Sequence, residues 1–160
     1  KSFVLLAFMV ITFTPSAQVY KMYNTQNYHN QLRLNTMTGE VQQIQDDGQS
    51  WEICSAREIS RDKVGRFCLY KTQNMWTFIM LDTYIGKNWQ VQYSTQDLNN
   101  LFCIPINKYE LVSNNEKCIF SIQPLTSMYQ YYLINDNTGD MWKFQWSTKG
   151  DDYRWIAKFK

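Results

Sequence analysis

The chain of 160 residues carries one histidine, His29, and four cysteines, Cys54, Cys68, Cys103 and Cys118. A serine or cysteine nucleophile therefore has a single imidazole to act as its base, and no nucleophile motif surrounds it. His29 stands in a slot that the chain fills elsewhere with Trp76 and Tyr129, so it reads as a variant ring position. No cysteine–histidine spacing fits zinc, and no glycine-rich loop fits phosphate. Neither a metal nor a cofactor is predicted. Carboxylates pair as Asp46-Asp47 and Asp151-Asp152, beside Gly48 and Gly150; acidic residues next to glycine are first of all turn formers. A hydrolase using Asp47, Asp151 or Asp152 would need two carboxyls set across a cleft. The run from Asn135 to Asp140 partly matches a calcium loop but lacks the downstream glutamate, and its position makes it a hairpin turn.

The polar set with a pattern is Gln45, Gln92 and Gln145, which recur at one position of a repeated strand. Amides beside aromatic rings can hydrogen-bond sugar hydroxyls or a peptide backbone. The structural reading is that they bond to adjacent turns. Lys143 and Trp155 join them as candidate ligand-binding residues, because the repeat does not require their identity.

The elements that must position these residues come from repetition. Within Trp76–Thr95, two apolar runs flank Asp82-Thr83-Tyr84-Ile85-Gly86, the pattern of two antiparallel strands and their turn. A shift of 47 residues lays Val19–Gln45 on Arg66–Gln92, matching Tyr23/Tyr70, Thr25-Gln26-Asn27/Thr72-Gln73-Asn74, Gly39/Gly86 and Gln43/Gln90 among others. A shift of 53 lays Arg66–Thr95 on Ile119–Thr148, matching Phe67/Phe120, Gly86/Gly139 and Trp89/Trp142. The chain is thus a threefold repeat, and 18–160 reads as one all-β domain with units 19–55, 66–106 and 118–159. Each unit predicts four strands: Val19–Tyr23, Gln31–Asn35, Val41–Gln45 and Trp51–Ser55; Arg66–Tyr70, Trp76–Asp82, Asn88–Ser94 and Leu101–Ile106; Cys118–Gln123, Tyr129–Asn135, Met141–Ser147 and Tyr153–Phe159. Only Ser55–Lys63 offers a helical turn.

In the third strands Trp89, Val91 and Tyr93 oppose Gln90 and Gln92, and Trp142, Phe144 and Trp146 oppose Lys143 and Gln145; the ring-bearing face is predicted to be core. The second strands Trp76–Leu81 and Tyr129–Ile134 are apolar at nearly every position, which predicts cover on both sides. Copy one has Gln31 and Arg33 there, so one of its faces meets water, as at the end of an open stack. The architecture is propeller-blade-like packed antiparallel sheets, with a β-trefoil as the alternative. Three blades must stay open, close asymmetrically or complete a ring as a homodimer, because propellers need at least four. Four cysteines allow three pairings, and the repeat favours Cys54–Cys68 with Cys103–Cys118, each worth about 3 kcal/mol in an oxidising compartment.

A net charge of +2 provides no basic field for nucleic acid. Lys1, an apolar run from Phe3 to Phe13 and a small-residue end before Gln18 describe a signal peptide over 1–17, too short for a stable membrane span. The expected location is periplasmic or secreted. The runs Thr72-Gln73-Asn74-Met75-Trp76, Leu81-Asp82-Thr83, Gly86 and Trp89-Gln90-Val91-Gln92, with Cys103-Ile104-Pro105-Ile106, resemble small exported proteins of gut Bacteroidetes with TQNMW and LDTxTGxxWQVQ motifs. Copy one has Gln42 in place of the tryptophan, and copy three reads Asn135-Asp136 for Asp-Thr. The resemblance implies an envelope or secreted location and brings no activity or catalytic residues. The expectation is an exported, non-catalytic binding module for carbohydrate or a partner protein; the alternatives are a self-assembling envelope protein and, third, a carboxylate hydrolase.

Overall fold

A computed structural model describes residues 18–57, 63–112 and 119–159. The segment read as a signal peptide and Cys118 lie outside the described residues, as does most of Ser55–Lys63. Twelve strands follow in chain order: β1 Tyr20–Asn24, β2 Asn30–Asn35, β3 Val41–Gln45, β4 Ser50–Cys54, β5 Phe67–Lys71, β6 Thr77–Asp82, β7 Asn88–Gln92, β8 Phe102–Pro105, β9 Phe120–Pro124, β10 Gln130–Asn135, β11 Met141–Gln145 and β12 Trp155–Lys158. They form three four-stranded antiparallel sheets, each made by one repeat unit. Every described strand pair lies within a unit, so the arrangement is stacked blades rather than a trefoil. The described residues contain no α-helix, only short 3-10 turns at Leu98–Asn100 and Asp151–Tyr153.

The registers superimpose: Leu32 faces Gln43, Ile79 faces Gln90 and Tyr132 faces Lys143 across the central pair of each sheet. The hairpin between second and third strands is also shared. Asn35, Asp82 and Asn135 accept a hydrogen bond at Oδ1 from the backbone N–H two residues on. Gly39, Gly86 and Gly139 close the turn at φ of +71°, +69° and +76°, a region that favours glycine.

The sheets pack through two apolar layers. Between sheets 1 and 2 lie Leu32, Leu34 and Val41 from one side and Phe67, Met80, Trp89 and Tyr93 from the other. Between sheets 2 and 3, Ile79 and Leu81 meet Phe120, Leu133, Trp142, Phe144 and Trp146. The middle strand β6 is therefore buried at all six positions, as its nearly continuous apolar run predicts, and the ring-bearing face of each later third strand is core. Its unit also holds a buried ion pair, Arg66 Nη2 to Asp82 Oδ2 at 2.7 Å.

Two expectations are corrected. The strand β10 alternates between half-buried and buried residues, so its far face is open. An apolar run marks two-sided cover only where another sheet follows, and among the described residues none follows sheet 3. The disulfide joins Cys54 to Cys103, with Cα atoms 5.3 Å apart, and Cys68 is a free thiol. Face-to-face stacking lays β4, the last strand of sheet 1, over β8, the last strand of sheet 2, so the cysteines that end successive units meet. Cys68 sits on β5, three strands from β8 in the same sheet and about 14 Å away at ordinary strand spacing.

Candidate functional site

The Thr-Gln-Asn run that precedes each of the first two central hairpins is a turn that presents a ring. Thr25 Oγ1 donates to the Asn27 and Asn30 carbonyls at 2.6 and 2.7 Å, and Thr72 Oγ1 does the same to Asn74 and Thr77 at 3.0 and 2.8 Å. The asparagine then accepts from the next-but-one N–H: His29 to Asn27 Oδ1 at 3.0 Å and Trp76 to Asn74 Oδ1 at 2.9 Å. In copy three Ser127 Oγ takes that place and accepts from Tyr129 N. The ring residue's carbonyl receives the N–H of the residue after the recurrent glutamine in all three copies: Asp46 to His29, Tyr93 to Trp76 and Trp146 to Tyr129, each at 3.1 Å. Ring and glutamine are thereby fixed side by side at the same end of every sheet.

Three clefts result. The first, about 320 Å³, is lined by His29, Gln45, Asp46, Asp47 and Thr95. The second, about 330 Å³, is lined by Trp76, Gln92, Ser94, Gln96, Asp97 and Asn100. The third, about 220 Å³, is lined by Tyr129, Gln145, Ser147, Thr148, Lys149 and Tyr153. Gln45 and Thr95 also line a depression of about 240 Å³ together with Trp51 and Gln96, so Thr95 links the first cleft to the second.

The candidate residues divide accordingly. Gln45, Gln92 and Gln145 each line one cleft. Gln145 is tied down: its Nε2 donates to the Tyr153 carbonyl at 3.1 Å, and its Oε1 accepts from Gln130 Nε2 at 2.9 Å. Lys143 lies outside the clefts on the open face of sheet 3, between Tyr132 and Ala157 in register. Trp155 is half-buried on β12 opposite Gln145 and lines none of the three. Sequence reasoning missed the loop after the third strand, which supplies Thr95, Gln96, Asn100 and Tyr153. Asn100 and Tyr153 occupy the same repeat position under the 53-residue shift, but their types differ, so an identity match does not find them.

The clefts differ in chemistry. In the second and third, rings pack behind the amide, with Trp76 5.2 Å from Tyr93 and Tyr129 4.9 Å from Trp146 between centroids. The first is acidic: His29 Nδ1 and Asp46 Oδ2 are 2.8 Å apart, both well exposed, and Asp47 Oδ1 accepts from Gln49 N at 3.0 Å. Among the described residues no hydroxyl or thiol is bonded to the other imidazole nitrogen, and no group of three or more metal-ligating side chains exists. Asp140 carries an ion pair with Lys158, Oδ1 to Nζ at 2.9 Å. Lys158 and the Thr138 hydroxyl hold its carboxyl below the ordinary range. The segment from Asn135 to Asp140 is thus a hairpin turn with both its acids engaged, Asp136 accepting from the Ser121 hydroxyl at 2.9 Å and Asp140 paired with Lys158. Asp151 pairs with Arg154. Comparison with family models, curated proteins and solved structures finds no match.

Proposed function

We propose that the protein is an exported, non-catalytic binding module whose ligand is carbohydrate, held at the end of the sheets where the three clefts open. The observation that carries this reading is the recurrence of a cleft with the same parts in each unit: a ring, a glutamine and a following polar loop. A ring offers an apolar face to the C–H face of a sugar, and amide and hydroxyl groups pair with its hydroxyls. The volumes suit one or two sugar units each. Gln45 and Gln92 support the role best, since among the described residues neither side-chain amide has a hydrogen-bond partner, whereas Gln145 is already paired. Export accords with the signal-like segment, and a disulfide is favoured by an oxidising compartment.

The test is binding of the chain from residue 18 onward to a broad glycan array. A coherent set of related glycans, lost with Gln92→Ala and Trp76→Ala and retained with Gln145→Ala, is the expected result. A blank array with correctly folded protein would overturn the carbohydrate reading and leave a protein ligand.

A further inference from the structure

The two internal sheet contacts are built from the same three fasteners. First, the ring that starts a sheet sits on the hairpin glycine of the sheet before: a Cβ on Gly39 would meet Phe67 at 2.9 Å, and one on Gly86 would meet Phe120 at 3.0 Å. The same phenylalanines donate their backbone N–H to the Thr36 and Thr83 carbonyls at 2.9 and 2.8 Å. Second, Gln43 on the back of sheet 1 clasps Ser94 of sheet 2, donating to its carbonyl at 2.8 Å and accepting from its N–H at 3.3 Å. Gln90 on the back of sheet 2 accepts from the Ser147 N–H at 3.3 Å. Third, the Tyr23 hydroxyl accepts from Leu69 N at 3.3 Å, and the Tyr70 hydroxyl lies against the Ile122 backbone at the equivalent place.

Carried one step further along the repeat, each fastener has its two halves on the two open ends of the stack. The glycine socket is Gly139, where an added Cβ meets nothing within 4 Å. The matching plug, in the slot of Phe67 and Phe120, is Tyr20, which is 54% exposed. The Gln43 and Gln90 position becomes Lys143, and the Ser94 and Ser147 position becomes Asp47, an exposed carboxylate. The Tyr23 and Tyr70 position becomes Gln123, an exposed amide acceptor, and the position of its partners Leu69 and Ile122 becomes Met22 at the other end of the stack. Tyr132, Ile134 and Met141 lie half-buried around Lys143, and Met22 is 47% exposed beside Tyr20.

We propose that these ends are complementary to one another, so that sheet 3 of one copy docks on sheet 1 of a second. Two such contacts close two chains head to tail into a ring of six sheets with twofold symmetry, within the four-to-eight-blade range that rings of this kind adopt. Lys143 of each copy pairs with Asp47 of its partner, replacing the internal glutamine–serine clasp with an opposite-charge one, and Tyr20 fills the partner's Gly139 socket. The polar Gln31, Arg33 and Gln42 on the front of sheet 1 keep that face soluble before assembly. The inference shares Asp47 with the rim of the first cleft but rests on the two ends of the stack and on no bound glycan, so a blank glycan array leaves it standing.

The experiment is sedimentation equilibrium over a wide concentration range. The parent chain is expected to reach twice the chain mass and to dissociate on dilution; a single-chain mass at every concentration overturns the proposal. Lys143→Asp and Asp47→Lys each place two like-charge contacts in the ring and should raise the dissociation constant roughly a hundredfold or more. The double variant Lys143→Asp/Asp47→Lys restores both pairs and should recover the dimer. Both residues are at the surface, and circular dichroism checks that each variant folds. A dimer sensitive to Lys143→Asp but indifferent to Asp47→Lys would mean back-to-back pairing and would overturn the head-to-tail geometry.

Discussion

Replacing both Cys54 and Cys103 by alanine removes the one cross-link between sheets 1 and 2 among the described residues. The bonded residues are 49 apart in sequence. The chain-entropy relation for a loop of that length gives a stabilisation of about 4 kcal/mol at 25 °C. A pairing of Cys54 with Cys68 would close a much shorter loop, worth about 3 kcal/mol, and would make Cys68 essential to it. The midpoint of thermal unfolding should therefore fall by roughly 10 °C in the double variant, and a reductant should lower the parent chain to the same value. Cys68→Ala should leave the reductant effect intact. Thermal unfolding followed by circular dichroism measures all three, and urea unfolding gives the corresponding free energies. A double variant within about 1 kcal/mol of the parent, or loss of the reductant effect on removing Cys68, would refute the reasoning.

Gly86→Ala should cost about 2 kcal/mol or more, because it adds both a left-handed strain and a clash with the Phe120 ring, while Gly139→Ala should cost only about 1 kcal/mol for the strain. Urea unfolding at low protein concentration compares them, and equal losses would contradict the packing. Gln43→Leu should destabilise by about 2 kcal/mol, since Ser94 loses both of its backbone partners inside the stack; Gln42→Leu, on the opposite face of the same strand, should change the unfolding midpoint little. Burial pushes the Cys68 thiol pKa up, so it is protonated at neutral pH and native-state alkylation should be slow there. The rate should climb about tenfold per pH unit through the range where an ordinary thiol would level off, and a rate that levels off near neutrality would show an activated thiolate instead.

The three sheets, and every strand to within two residues of its ends, were legible in the sequence because the repeat supplies three independent readings of one pattern. The Thr-Gln-Asn run, the hairpin glycine and the alternation of Trp89, Val91 and Tyr93 each mark local geometry, and local geometry is what residue type constrains. The cysteine pairing was not legible, because the 13 residues between Cys54 and Cys68 give proximity along the chain, whereas Cys54 and Cys103 meet across the stack. The same limit applies to β10, whose apolar residues say that a face wants cover but not whether cover exists. In the clefts, Gln45, Gln92 and Gln145 were found by identity. Trp155 and Lys143 were not brought into a cleft, because a period of two residues along a strand fixes the face and leaves the end of the strand undetermined.

The burial of β6 on both faces has a consequence for how the molecule opens. Its amides are paired on both sides, to β5 and β7, and it is overlaid by both apolar layers. Their hydrogen exchange must wait for the whole stack to come apart, whereas β1 and β12, at sheet edges and facing solvent, can fray alone. The outer sheets thus act as covers that breathe against a middle sheet that does not. A cut that removes sheet 3 leaves Ile79 and Leu81 in water together with Asn88 and Gln90. The middle unit, whose sequence repeats the pattern most fully, is therefore the one least able to stand by itself.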